Sequence, residues 1–475
     1  MQFLKNSNTA KLWYTIALVI VLIPTYFIHT QKYPDWGDDF AQYVYQAQQI
    51  HTPSKVYKEV LNVEEYSSGK KRSVFFSVTM SFISPTIDID VYVDYISLTY
   101  ILAAVCFFIF LSYFFSHWIS FLITLCVFYN FLFLRLKSEV VPEFLFIALS
   151  FFVFIFYHKL KKQKFVLIPL LIALLFSVRF LGLAMLFAYL ISILNDKEKN
   201  IKQKSKELMI TSFVFLVVIF FINFFFIAHV SNQEIKLYGA YLFENFRLDL
   251  FLNNCKIYMS YITLFFDQEI PFWINTIIKF SVCILFIIGF INSLKNRGGI
   301  VDYYFVIYFL CLFVYPVNND TIRYLIPIMP LFFYYTLQGL LLSVKSFDNT
   351  WKYGAVLCSL IIVLLSNSKT IWLAINRVEE NVGPYESSVL NDFEMIKKIV
   401  PDSKTIAFGK PFIVSLLMDR HSYFLSQTNY CDILNKADYA LISKPNINEL
   451  YPKTIGVKIA KGDTTELTNF YLVKL

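Results

Sequence analysis

Long apolar runs recur along this chain, separated by short polar loops. Their approximate limits are 11–29, 94–115, 118–134, 143–158, 164–176, 180–194, 208–228, 272–293, 301–317, 325–344 and 353–374. Most approach the roughly 17–25 residues that a helix needs to cross a bilayer, so about eleven membrane spans are expected. The fifth and sixth runs are short, with Ser177, Arg179 and Gly182 between them. That interruption fits either a hairpin or one broken span. Beyond residue 374 the apolar runs stop. Residues 391–399 read as a helix, and TIAFGKP (405–411) reads as a strand and turn. ADYALISKP (437–445) and GVKIA (456–460) read as further strands. The expected fold class is an all-α polytopic membrane protein over 1–374, followed by a small α/β domain over 375–475.

Composition supports that class. Hydrophobic residues make up 57% of the chain and charged residues 16%, a balance that would leave a soluble protein coated with aggregating surface. The net charge of +8 does not indicate a nucleic-acid partner, because the lysines gather in short inter-span loops. Such loops are HKLKKQK (158–164), NDKEKNIKQKSKE (195–207) and LKNR (294–297), joined by Lys5, Lys11, Lys345 and Lys352. With a cytoplasmic N-terminus all of them fall on the cytoplasmic side. The loop 30–93, the loop 229–271 and the tail then face outward. The first run is long for a signal peptide and lacks a small-x-small cleavage site, so it reads as a retained anchor. The seven cysteines show no CxxC or Cys/His spacing, and the six histidines share no spacing. Glycine-rich phosphate loops, GxSxG and HExxH are absent from the sequence, and no repeat stands out.

Chemistry has to come from a few polar residues on the outward face. WGDDFAQYVYQA (36–47) places Asp38 and Asp39 ahead of an apolar stripe of Phe40, Tyr43, Val44, Ala47 and Ile50. That stripe predicts a helix lying in the membrane interface. One Asp would serve as a helix cap, which leaves the other for chemistry. Glu139 and Glu143 stand four apart and share a helix face. Their plain reading is a surface pairing with Arg135 and Lys137. Glu143, however, adjoins the apolar run FLFIALSFF, where an ionisable group costs roughly 2.5–3.5 kcal/mol and is a functional candidate by default. Arg179 lies in SVRFLGL, where it is either a snorkelling side chain or a ligand. Arg323 and Tyr324 lie in NNDTIRYLIPIMP, at the outer start of a span. Two arginines offer planar donor forks suited to phosphate.

These segments together resemble the C-type (GT-C) polytopic membrane glycosyltransferases. The nearest pattern is that of the dolichyl-phosphate-mannose protein mannosyltransferases and the bacterial aminoarabinose transferase. Asp39 stands four before Tyr43, as in the family's first loop, although Phe40 occupies the place of its Glu. A shifted register instead matches Asp38 and Asp39 to the acidic pair, with Tyr43 one residue late. SEVVPEF (138–144), SVRFLGL (177–183) and RYLIP (323–327) resemble three further family segments in the same order. The resemblance covers about residues 10 to 345. It implies a sugar donor on a polyprenyl phosphate, undecaprenyl phosphate in a bacterium, and a glycan, lipid or protein acceptor outside the plasma membrane. It implies Asp39 as the base with Asp38 as the second choice, and inversion at the anomeric carbon. Arg179, Arg323 and Tyr324 would hold the donor phosphate, and Tyr43, Glu139 and Glu143 the substrates. No cofactor or metal ligand is assigned, with room left for a divalent cation. The competing readings are a lipid-linked oligosaccharide polymerase or ligase, and a lipid-linked sugar transporter or flippase.

Overall fold

A computed structural model describes residues 8–28, 36–52, 58, 60–61, 74–83, 88–159, 164–226, 248–265, 272–296, 298–314, 322–345, 354, 357, 372, 383–426, 432–433, 435–444 and 464–475. The chain is a mostly helical, multi-pass membrane protein with a small sheet domain at its C-terminal end. The first ten expected apolar runs all fall on described helices, and the run 353–374 lies outside the described residues, apart from three isolated positions.

Helix α1 (Asn8–Phe27) is the first apolar span. The connection that follows holds α2 (Asp38–His51) and α3 (Val74–Ser81). Then come α4 (Ile89–Leu111), α5 (His117–Phe128), α6 (Phe131–Lys137), α7 (Glu143–Lys159), α8 (Lys164–Val178), α9 (Leu183–Leu194) and α10 (Ile201–Phe226). Next are α11 (Leu248–Leu264), α12 (Phe272–Asn296) and α13 (Ile300–Val314). The last apolar segment is α14 (Ile322–Leu325), a 3-10 turn and α15 (Met329–Ser343). Among the described residues five helical segments, 8–27, 89–111, 201–222, 275–296 and 322–343, are long and apolar enough to cross a membrane. The remaining apolar helices are shorter or bent.

The expected third span is not one straight helix. It is α5 and α6, bent by 64°. Asn130 causes the break. Its side-chain oxygen accepts from the Leu132 N–H at 3.0 Å and caps α6, and its amide donates to the Phe265 carbonyl at 3.1 Å. The fifth and sixth runs are likewise two short helices. Arg179 interrupts them in extended backbone, and Gly182 packs so closely that an added Cβ would lie 2.5 Å from the Phe176 nitrogen. A second close approach joins α12 to α15, where Gly289 and Gly339 face the partner backbone. Small residues at such crossings let the two helices gain contact without a hydrophobic driving force.

Burial separates the helices by role. Only 17% of the apolar window in α10 and 11% of that in α12 are buried, so these helices present Phe213, Phe220, Ile277 and Phe280 outward, as lipid-facing helices do. By contrast 56% of the α4 window and 78% of the 322–343 window are buried.

Helix α2 departs from the expected interfacial stripe. Phe40, Ala41, Tyr43, Val44, Tyr45 and Ala47 are buried, and so are Gln42 and Gln48. Gln48 donates to the Tyr92 hydroxyl at 3.0 Å, and the aromatic side chains of Phe40 and Tyr45 meet the C-terminal domain. That domain has α16 (Ser387–Ile399), a short helix α17 (Pro411–Ile413) running into a π-turn (Val414–Met418), and a five-stranded sheet. The strands are β1 (Ile406–Phe408), β2 (Ser422–Phe424), β3 (Tyr439–Ser443), β4 (Thr464–Glu466) and β5 (Phe470–Lys474), in the order β2-β1-β3-β5-β4. β1 pairs in parallel with β2 and β3, and β5 pairs antiparallel with β3 and β4. The expected helix near 391–399 and the strands in 405–411 and 437–445 are present, and GVKIA lies outside the described residues. Trp36 packs edge-on against Phe393, Phe408 and Phe470, with ring centroids 6.0–6.5 Å away. Phe40 meets Tyr385, and Tyr45 meets Phe412. The Leu61 N–H donates to the Ser422 carbonyl at 2.8 Å. Trp36, α2 and Leu61 therefore pack against the domain.

Candidate functional site

Four separate stretches of sequence meet at one end of the central helices. Asp39 lies in the first turn of α2. Gly37 occupies the N-cap position, with no side-chain cap hydrogen bond, so the expected Asp cap is not what is found. A carboxylate in a first turn still favours the positive end of the helix. The side chain of Asp38 lies outside the described residues. Glu143 opens α7, delivered by the turn that follows α6. Arg179 sits at the break between α8 and α9, and Arg323 and Tyr324 sit in α14.

The four charges form one chain. Arg323 donates through Nη2 to Asp39 Oδ2. Its Nε lies 4.0 Å from Glu143 Oε1, which in turn accepts from Arg179 Nη2 at 2.5 Å. The Tyr324 ring lies between the two guanidinium groups, 4.8 Å from that of Arg179 and 5.4 Å from that of Arg323. Guanidinium–aromatic contacts of this kind hold the cations in place at modest cost. The Tyr308 hydroxyl fixes the same segment by donating to the Tyr324 carbonyl at 2.8 Å. Glu143 is fully buried, while the side chains of Arg323 and Asp39 retain 12% and 13% exposure. The cluster thus runs from the protein interior to an accessible edge.

Hydrogen bonding in the cluster is incomplete. Glu143 Oε2, Arg179 Nη1 and Arg323 Nε are buried without a hydrogen-bond partner among the described residues. Buried donors and acceptors are nearly always satisfied, because each orphan costs about 1–3 kcal/mol. This cluster holds three such atoms.

The sequence expectations fare unevenly here. Asp39, Glu143, Arg179, Arg323 and Tyr324 are brought together, and Asp39 and Arg323 touch. The surface pairing of Glu143 with Arg135 and Lys137 is not found. Glu143 pairs with Arg179, Arg135 is exposed, and Lys137 is fully buried with its ammonium 3.2 Å from Ser97 Oγ. Arg179 does not snorkel, since it is buried against Glu143. Glu139 is half-buried in the turn and pairs with neither Arg179 nor Arg323 among the described residues. Tyr43 lies one turn along α2 from Asp39, packed edge-on against Phe76 at 5.0 Å and within electrostatic reach of Arg179. Among the described residues no group of three His, Cys, Asp or Glu gathers to hold a metal ion. Tyr308 and the buried Lys137 had no distinguishing signal, being a tyrosine in an apolar run and a lysine in a charged turn.

No family model and no curated protein matches this sequence. Solved structures do share its fold. The archaeal oligosaccharyltransferase AglB from Archaeoglobus fulgidus, in complex with an inhibitory peptide and a dolichol-phosphate, aligns with a TM-score of 0.57 at 11% identity. That alignment covers 91% of this chain and 69% of AglB. ArnT from Cupriavidus metallidurans bound to undecaprenyl phosphate aligns at 0.55 and 10% identity, covering 96% of this chain and 97% of ArnT. ArnT in the apo state aligns at 0.57 and 11% identity, covering 98% of both chains. The fold is that of the C-type membrane glycosyltransferases.

Proposed function

We propose that this chain transfers a sugar from a polyprenyl-phosphate donor to an acceptor hydroxyl at the extracytoplasmic face of the plasma membrane. The observation that carries the reading is the Asp39–Arg323–Glu143–Arg179 chain with its unsatisfied donors, at the accessible edge of a fold whose solved relatives hold polyprenyl phosphates. Asp39 takes the acceptor proton. The acceptor oxygen forms its bond to the anomeric carbon as the bond from that carbon to the phosphate oxygen breaks. The electron pair leaves with the lipid phosphate, and attack from the opposite side inverts the centre.

Arg323 and Arg179 have donors to give to that phosphate, and stabilising the leaving charge in a dry site is a large catalytic term. Glu143 keeps the two cations together before the phosphate arrives. Tyr324 braces both guanidinium planes. Tyr43 and Glu139 line the approach to Asp39 and contact the substrates. Positive-inside charge supports an N-terminus in the cytoplasm and this site outside.

The test is transfer of radiolabelled sugar from synthetic undecaprenyl- or dolichyl-phosphate sugars by the purified full-length protein, with envelope extracts supplying acceptor. Lipid-dependent label transfer is the expected result, and transport of intact donor across vesicles without transfer would replace the reading by a transporter. Arg323→Lys keeps the charge and loses the planar fork. It should weaken donor binding about tenfold, in the range of one charge-assisted hydrogen bond.

A further inference from the structure

A cavity of 660 Å³ lies between α2, the start of α4 and the C-terminal domain. Tyr45 and Gln48 of α2, Asp88 at the N-cap of α4, Tyr385, Lys397 of α16 and Asp419 line it. Gln48 stands nine residues beyond Asp39. At 100° per residue it faces the opposite side of α2, about 13 Å along the axis. Helix α2 is thus a wall between this cavity and the arginine cluster.

The two sides of that wall differ in charge. The arginine cluster offers guanidinium donors. The cavity has the exposed carboxylates of Asp88 and Asp419, and its Lys397 is already paired with Glu394 at 2.6 Å. The remaining charge is negative and disfavours phosphate. Aromatic faces and carboxylate acceptors suit a ligand with apolar C–H faces and hydroxyl edges. The volume falls within the roughly 300–1,000 Å³ of small-ligand sites.

The cavity wall is also locally unusual. It includes the π-turn Val414–Met418, which ends in Asp419 at a φ of 52°, in the left-handed region. π-turns are rare and concentrate at functional sites, and a non-glycine residue stays left-handed only where its surroundings fix it. Here Arg420 Nη1 donates to the Asp419 carbonyl at 3.1 Å, and within the turn Ser415 Oγ lies 2.9 Å from Ser422 Oγ, which donates to the Pro411 carbonyl at 2.9 Å.

We infer that this cavity is an acceptor subsite for a neutral, hydroxyl-rich saccharide segment, remote from the hydroxyl that reacts. The inference rests on the glycosyl-transfer reading. Binding a non-reacting part of the acceptor there positions the reacting part and steadies α2, which carries Asp39.

The experiment probes fluorescently labelled full-length protein in detergent against an array printed with neutral, phosphorylated and sulfated oligosaccharides. The wild type should retain neutral glycans and not the anionic ones. Asp419→Gly removes the carboxylate while suiting the left-handed backbone, so its Tm should hold. It should weaken retention about tenfold, the range of one hydrogen bond to a charged group. Leu417→Trp, which fills the cavity, should do the same, and Arg323→Ala should not. No neutral glycan bound by the wild type, equal binding of anionic glycans, no effect of either cavity variant, or loss with Arg323→Ala would each overturn the inference. Array binding needs no donor. Intact glycan binding without sugar transfer would therefore sink the transferase reading alone.

Discussion

Glu143 and Asp302 are both buried carboxylates at the start of helices, and the protein treats them in opposite ways. Asp302 accepts from Ser293 Oγ at 2.7 Å, Tyr335 Oη at 2.8 Å and the Gly299 N–H at 3.0 Å. Every donor is neutral, both oxygens are used, and the bond to Gly299 closes the first turn of α13. Glu143 takes one cation on Oε1, faces a second on the same oxygen and leaves Oε2 without a partner among the described residues. Burial does not separate the two, as both are almost inaccessible. Saturation does. A saturated carboxylate with neutral partners is a brace, and an unsaturated one between two cations holds charge in readiness.

Substitutions can break this contrast. The largest effect belongs to Asp39→Asn, which keeps the shape and cannot act as a base. Transfer should fall about 10²–10⁴-fold with donor binding retained, and single-turnover assays beside donor-binding titrations read both. Next is Glu143→Ala, which leaves Arg179 buried without its carboxylate while Arg323 keeps Asp39. Breaking a buried pair costs about 3–5 kcal/mol, so thermal unfolding in detergent should drop sharply, and bound lipid phosphate should restore part of the loss. Asp302→Ala should cost about 1–3 kcal/mol and leave turnover per folded molecule unchanged. If it instead changed the donor KM, the division between brace and site would fail.

The smallest effect lies in the C-terminal domain. Burial pushes the Asp438 carboxyl up, but hydrogen bonds from Lys404 Nζ, the Thr405 N–H and the Thr405 hydroxyl outweigh it and hold the group below its ordinary value. A depressed carboxyl stabilises the fold fully above its unfolded pKa, about 4. That contribution is lost as pH falls through the folded value. Asp438→Asn should therefore cost less than about 1 kcal/mol at neutral pH and nothing in strong acid, as melting curves across pH would show.

Much of this was legible in the sequence. The runs that became helices, the acidic start of α2, and the arginines of SVRFLGL and RYLIP are local signals, set by residue type and spacing. What pairs with what is not local. Glu143 lies closer in sequence to Arg135 and Lys137 than to Arg179, and only the packing of α7 against α8 decides the partner. The bend at Asn130 was missed because hydropathy does not register a side chain that caps a helix in mid-span. The burial of α2 was missed for a related reason: Phe40 and Tyr45, with Trp36 just ahead of the helix, pack against residues more than 300 positions later. Strands β2 and β4 are only three residues long, too short for an alternating pattern to register.

The packing of Trp36 has a consequence for modularity. The indole lies three positions before Asp39 and is seated on α16, β1 and β5. The C-terminal domain is thus a jig for the carboxylate as well as a neighbour of it. Exchanging that domain for a counterpart from a fold relative would reset the position of Asp39 unless residues 36 to 45 travelled with it. Evolutionary drift in the two regions should then be correlated, with the aromatic triad and the indole changing together or not at all.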